Sequence, residues 1–275
     1  MKTCLLLLLL LLTTLPAWAL RPSRDYVYTP DSLGLPYHTV RIETPDHTQL
    51  YSWIIEPQAG TDQHTTIVVA AGDADNMGQL LFHARMLANV GYRVLLFDYR
   101  GFGHSSDFAI DPQRLYYAEF ITDLRAALRY ARQQFPQGRT GLYGFSMGTI
   151  MATHVAATDQ PDFLLGEGYV ADPVALVAAI KQAKNKIVML PAEAATYTEL
   201  LPRIKCPMLL VSGTKDVNTT LADSTRIMRA ARPRQRRELL TFDGAHGEGL
   251  TALSSKPEDP GDLYAAAVLR FVGNK

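Results

Sequence analysis

Arg139-Thr-Gly-Leu-Tyr-Gly-Phe-Ser-Met-Gly148, running on through Thr149 to Ala157, is the stretch on which the fold turns. Residues 139–143 are short and partly apolar, as a strand entering a core would be. Residues 149–157 are small and apolar and read as a helix. Between them, Gly144-Phe145-Ser146-Met147-Gly148 spells G-x-S-x-G. A serine on a sharp turn from strand to helix has crowded backbone dihedrals. Glycines two before and two after it relieve the crowding, because a side chain there would collide with the turn or the neighbouring strand. The turn lifts the hydroxyl out of the sheet and into reach of a base. It also aims the backbone N–H of Met147 at the place where a substrate carbonyl oxygen would sit. The bare pentapeptide recurs by chance, and the strand before it and helix after it give it weight.

The flanking sequence extends the pattern in both directions. Residues 37–44 alternate, Pro45-Asp46-His47 turns, and residues 50–56 follow, which predicts an antiparallel hairpin. Thr66–Ala71 and Arg93–Asp98 are short apolar runs without alternation, the mark of strands buried on both faces. A helix is expected from Met77 to Asn89, ending near Gly91, and another from Ala118 to Phe135, stopped by Pro136. Gly168–Asp172, Met208–Ser212 and Arg237–Phe242 read as further strands, and Asp262–Phe271 as a closing helix. Strand–helix alternation after an opening hairpin gives an α/β fold, a mostly parallel central sheet with helices on both faces. Loops at the carboxyl ends of the strands then gather on one edge, where chemistry belongs.

The amino terminus reads as an export signal. Lys2 supplies a positive end, Leu5–Leu12 is an unbroken leucine run, and Ala17-Trp18-Ala19 is an A-x-A cleavage site. The expectation is a signal peptide at residues 1–19 and one domain at 20–275, exported to a periplasm or secreted. An uncleaved signal, anchoring the chain to a membrane, is the alternative. The leucine run is short against the roughly 20 apolar residues of a spanning helix. Of the two cysteines, Cys4 precedes that run, so Cys206 alone would remain. An intrachain disulfide is then impossible, and stability must come from the core. Lys-Cys206-Pro precedes an apolar strand, and Cys206 reads as a small buried residue.

Lysine plus arginine and aspartate plus glutamate both number 27, so the net charge is zero and nothing recruits nucleic acid. Arg226, Arg229, Arg232, Arg234, Arg236 and Arg237 form a basic cluster on a helix and its exit, read as a solvated face, with weak contact to an anionic envelope surface as the sharper alternative. His38, His47, His64 and His104 lack metal-ligand spacing, and no metal is expected. His83 and His154 lie on helices as packing or surface residues. Gly101-Phe-Gly-His-Ser lacks the third glycine and the following helix of a dinucleotide fingerprint, so no cofactor is expected.

Three strand-end loops carry residues suited to nucleophilic catalysis. Ser146 follows one strand, Asp216 another in Ser212-Gly-Thr-Lys-Asp216, and His246 the last in Asp243-Gly-Ala-His246-Gly. With Thr44-Pro-Asp46, Ala71–Gly78, Asp98–Gly103, Gly144–Gly148, Gly213–Asp216 and Gly244–His246 in this order from about residue 31 onward, the chain resembles the α/β-hydrolase superfamily, in its compact serine-hydrolase branch of esterases, thioesterases and S33-like peptidases. The chain order Ser, Asp, His is the one that architecture has. The resemblance implies Ser146 as nucleophile, His246 as general base and acid, and Asp216 as the carboxylate that orients the imidazole. Asp243, three residues from His246, is the rival acid.

The resemblance also implies an oxyanion hole made by the N–H of Met147 and that of Asp73, in Ala71-Gly72-Asp73. Two departures stand out there: Ala71 replaces a usual histidine, and Asp73 puts a carboxylate beside a site for developing negative charge. Asp75 or Asn76 is expected to cap the next helix. Residues 173–206 form a small helical cap, with a helix at Val174–Lys186, a second segment at Ala192–Leu201, and an apolar face of Leu176, Val177, Ile180, Ile187, Val188, Met189 and Leu190. The expected partner is a small-molecule acyl substrate, cleaved as a carboxylic ester or thioester through an acyl-enzyme. The alternatives are a peptidase or amidase with the same triad, and a non-catalytic binding protein that retains the fold.

Overall fold

Thr65–Ala70 (β4) and Arg93–Phe97 (β6) are the two runs that lack alternation, and they lie at the centre of the sheet because both faces of each must be covered. The computed structural model describes residues 19–273. The remaining strands are Arg21–Pro22 (β1), Tyr37–Glu43 (β2), Gln49–Ile55 (β3), Ala74–Asp75 (β5), Arg139–Phe145 (β7), Leu164–Glu167 (β8), Met208–Gly213 (β9) and Arg237–Phe242 (β10). Eight of them form one sheet in the order β10-β9-β8-β7-β4-β6-β3-β2. Every pairing from β10 to β6 is parallel; β3 runs antiparallel to both β2 and β6. β1 and β5 make a separate parallel pair.

The helices are Leu81–Asn89 (α1), Ala118–Gln134 (α2), Gly148–Asp159 (α3), Pro173–Lys184 (α4), Leu221–Arg229 (α5), Gly249–Ala252 (α6) and Asp262–Gly273 (α7). The crossover through α1 steps from β4 toward β6, whereas those through α2, α3 and α5 step the other way. Right-handed connection then puts α1 on one face and α2, α3 and α5 on the other. α2 packs on α3, and α1 on α7. The direction changes beside β4, so the crevice beyond its carboxyl end is where a ligand fits.

The sequence places most elements within two residues, and the differences have local causes. The expected helix from Met77 divides into a 3-10 turn at Met77–Leu80 and α1. Asn76 caps the turn, its side chain accepting from Gly78 N–H at 3.0 Å. The strand expected at 168–172 lies earlier, at Leu164–Glu167, because Gly168 takes a φ of +59° and turns the chain out of the sheet. In the 173–206 segment, α4 is followed by 3-10 turns at Ala192–Glu199 and Leu201–Arg203. Ile187, expected on the apolar face, is 69 % exposed. Cys206 is free and buried, and burial pushes its thiol up to about 12.

Of the signal expected at residues 1–19, residues 1–18 lie outside the described residues. Ala19, its last residue, and Leu20 are buried and both donate N–H to Pro112 C=O. Among the described residues no helix is long and apolar enough to cross a membrane.

One buried charge network joins three elements around the 98–103 loop. Arg100, 4 % exposed, donates through Nε and Nη2 to Asp123 of α2 at 2.9 and 2.7 Å, and through Nη1 and Nη2 to Asp46 of the hairpin turn at 2.6 and 3.1 Å. Asp123 also accepts the Arg100 backbone N–H at 3.0 Å. The Arg100 guanidinium holds the Asp46 carboxyl well below the usual carboxylate range. Removing one partner of such a pair leaves an uncompensated buried charge. Asp123→Ala is therefore expected to lower stability by about 3–5 kcal/mol, read from the midpoint of urea unfolding.

Candidate active site

The end of β7 delivers Ser146 in a left-handed conformation, φ +51°, which a residue with a Cβ adopts only when its surroundings compel it. Two backbone bonds hold it. Ser146 N–H donates to Glu167 C=O at the end of β8, 2.9 Å away, and Ser146 C=O accepts the N–H of Thr149 at 2.9 Å and its hydroxyl at 2.7 Å. The flanking glycines are required by contact. A Cβ on Gly148 would lie 1.9 Å from Ala70 C=O, and one on Gly144 would lie 2.8 Å from Thr149 Cα. α3 thus starts against the carboxyl end of β4, with Met147 at its N-cap.

The ends of β9 and β10 bring the other two residues to the same rim. Ser146 Oγ lies 2.9 Å from His246 Nε2, and His246 Nδ1 lies 2.7 Å from Asp216 Oδ2. Asp216 is nearly inaccessible, whereas a quarter of the His246 side chain is open to solvent. The carboxylate is saturated: Oδ1 accepts from the N–H of Asn218 and Thr219 at 2.8 and 2.9 Å, and Oδ2 accepts the Thr219 hydroxyl at 2.6 Å. Burial raises the Asp216 carboxyl, but His246 and these donors more than offset it, and it stays below its ordinary value. Asp243, the rival acid, is exposed and pairs with Lys215 Nζ at 2.9 Å. Burial lowers the His246 imidazole. Its bond to Asp216 and the charges of Asp216, Asp73 and Glu167 outweigh that and raise it above the usual 6.5. The arrangement suits proton transfer from the serine hydroxyl to Nε2, with the imidazolium stabilised at Nδ1.

A cavity of about 530 Å³ opens over this hydroxyl, lined by Asp73 and Met147 as well as Ser146 and His246. The Ala71–Asp73 loop packs beside the serine turn, since a Cβ on Gly72 would meet the Phe145 ring at 3.3 Å. Among the described residues, neither the Met147 nor the Asp73 N–H donates to a protein acceptor. Both proposed donors are therefore free beside the nucleophile.

Residues 61–186 match the family model described as serine aminopeptidase, S33. The chain is 33 % identical over 95 residues to an uncharacterized membrane protein of Saccharomyces cerevisiae, YNL320W, covering 33 % of this chain and 31 % of that protein. It is 27 % identical over 168 residues to the α/β hydrolase domain-containing protein aho-3 of Caenorhabditis elegans, covering 56 % of this chain and 44 % of that protein. The chain thus spans less than half the length of these two relatives. In three dimensions it superposes on the Pyrococcus furiosus esterase Pf2001 with a TM-score of 0.70 at 22 % identity, over 92 % of this chain and 97 % of the other.

The chain has the α/β-hydrolase fold.

Within this fold, Glu167 escapes a reading of the sequence. It ends β8, 1 % exposed, directly behind the serine turn. Tyr143 OH donates to its Oε2 at 2.7 Å, Gly249 N–H reaches its Oε1 at 3.2 Å, and His83 Nε2 stands 3.4 Å from Oε2. Burial would raise this carboxyl, but His83 and Tyr143 outweigh it and lower it. Glu167 ties β7, β8, α1 and the start of α6 together, and α6 begins three residues beyond His246. His83 is therefore a buried partner of Glu167. The one signal in the sequence is a carboxylate inside the apolar run Leu164-Leu-Gly-Glu-Gly168, which is β8 rather than the loop before a strand at 168–172.

Gly168 is the second omission. A Cβ there would lie 2.7 Å from His246 Cε1 and 3.3 Å from Thr219 Oγ1. Gly168→Ala should displace the imidazole, and a displacement of about 1 Å costs on the order of 100-fold in kcat. Steady-state kinetics on the folded variant checks it, folding being verified by circular dichroism.

The expected pH dependence follows from His246. The imidazole accepts a proton only when neutral, and its value is raised, so kcat/KM should fall on the acid side with a midpoint above 6.5. The Asp73 carboxylate is one of the raising charges. Asp73→Asn should therefore move that limb to lower pH, as read from the kcat/KM profile of wild type and variant.

Proposed function

We propose that the protein is a serine hydrolase that cleaves a carboxylic ester or thioester through an acyl-enzyme. The observation that carries the proposal is the unbroken chain from Ser146 Oγ through His246 to Asp216, with a cavity opening over the hydroxyl. Ser146 Oγ attacks the acyl carbon while His246 Nε2 takes its proton. The N–H groups of Met147 and Asp73 receive the oxyanion, a donor there being worth about 3 kcal/mol. As the tetrahedral adduct collapses, His246 returns the proton to the leaving alcohol or thiol. Water, deprotonated by the same imidazole, then releases the acid and frees the serine. The amino-terminal signal supports a reading in which the enzyme acts after export, in a periplasm or outside the cell. For the arginine cluster, Arg236 stacks on Phe271 and Arg226 pairs with Asp223, which favours a role in the fold over envelope contact.

Amide or peptide hydrolysis is the second reading, favoured by the description of the matching family model. An aminopeptidase must hold a substrate ammonium. The cavity offers the Asp73 carboxylate for it, but Arg21, Lys184 and Lys186 line the same space and repel a cation. The charge balance supports the ester or thioester.

A fluorophosphonate probe is expected to label the protein at Ser146, identified by peptide mass spectrometry. Ser146→Ala should abolish labelling and the turnover of short p-nitrophenyl esters. A folded wild type that resists the probe would instead mark a binding protein on a hydrolase scaffold.

A further inference from the structure

The catalytic cavity carries an asymmetry of charge that ester cleavage by itself does not need. Arg21, Lys184 and Lys186 line it, against the single carboxylate of Asp73. Among the described residues none of the three cations forms an ion pair. Burial lowers the Lys186 ammonium; the Asp73 carboxylate works against that, and the charges of Lys184 and Arg21 add smaller lowering effects. Three cations against one carboxylate leave the cavity net positive, which favours an anionic ligand.

The apolar wall has a direction that ends at these cations. Leu176, Ile180 and Lys184 are spaced four apart on α4, so they form one stripe along one face, and all three line the cavity. The stripe runs about 12 Å at the helical rise, apolar for two positions and cationic at the third. Beyond α4 the chain leaves the helix at Asn185, φ +49°. From there Lys186 and Val188 both line the cavity, and Ile187 between them points to solvent. An extended segment puts alternate side chains on opposite sides, which explains the split. A hydrocarbon chain laid along Leu176, Ile180 and Val188 therefore terminates beside two ammonium groups.

We propose that the preferred substrate is an ester whose acyl chain ends in an anionic group, a carboxylate or a phosphate, held by Lys184, Lys186 and Arg21. This deepens the serine-hydrolase reading and rests on it. It also accounts for Asp73. The three cations offset a carboxylate that would otherwise oppose the oxyanion, and a bound anion is seated at the cation-rich end.

The test compares matched probes. Mono-p-nitrophenyl adipate and suberate are each paired with their terminal carboxamides, which have the same length and no charge, and with terminal phosphates. Wild type should prefer the carboxylate or phosphate probe over the carboxamide by about tenfold in kcat/KM, the size of one partly screened charge contact. The better of the two anions identifies the terminal group. The ratio between paired probes should drop to near one in K184Q/K186Q. In wild type it should shrink as salt rises toward 1 M, where the screening length is about 3 Å. Because the readout is a ratio, loss of folding or of general activity does not imitate it. Fluorophosphonate labelling with equal turnover of charged and neutral probes overturns this proposal and leaves the hydrolase reading intact. Failure of both labelling and turnover overturns both.

Discussion

The hydrogen bond from Ser146 N–H to Glu167 C=O is the constraint around which the site is organised. It locks β7 to β8 at the point where the backbone enters a left-handed conformation that costs about 1–3 kcal/mol on its own. The cost is tolerated because neighbours over-determine the turn. Thr149 bonds Ser146 C=O twice, and α3 begins in contact with the end of β4, a position only glycine fits. Release that turn and the hydroxyl falls back into the sheet, out of reach of His246.

The second organising feature is the separation of burial between acid and base. Asp216 is enclosed and fully bonded, so its charge is fixed in place beside His246. His246 is partly open, so it meets substrate and water. A carboxylate that accepts four hydrogen bonds has no freedom to reorient, and the imidazole tautomer is thereby set with the proton at Nδ1 and the lone pair toward Ser146. Glu167 adds a second buried negative charge behind the same imidazole, reached through the backbone of the serine turn and through α6. Two anionic supports and the Asp73 carboxylate raise the base against the pull of desolvation.

Charge is handled differently in the cavity and in the body of the protein. In the body, Arg100 meets Asp46 and Asp123 with complementary geometry and a buried cation is neutralised in place. In the cavity, cations converge without ion-pair partners, on a wall supplied by α4 and the strand-like segment after it. The first arrangement braces the hairpin turn, the 98–103 loop and α2 against one another. The second leaves a field directed at whatever enters.

Local pattern was enough for much of this. Short apolar runs without alternation read as central strands, G-x-S-x-G between strand and helix read as a tight turn, and Ser146, Asp216 and His246 each sat at the end of a strand. Those readings depend on near neighbours along the chain, where hydrophobic period and glycine position act directly. The α/β architecture was legible on that basis, and the chain order of Ser146, Asp216 and His246, taken with the resemblance it carries, pointed to the rim where the structure brings them together. What escaped the sequence depends on residues far apart in it. Glu167 looked like an ordinary polar residue until β8 moved four positions earlier and placed it against Tyr143 and His83. Gly168 looked like the start of a strand until His246, 78 positions on, occupied the space its Cβ would need. The cations Arg21, Lys184 and Lys186 come from separate segments and share a cavity only because the sheet brings those segments to one rim. Periodicity records which face of an element is buried; only the packed chain decides which distant charges and ring atoms must share a few ångströms.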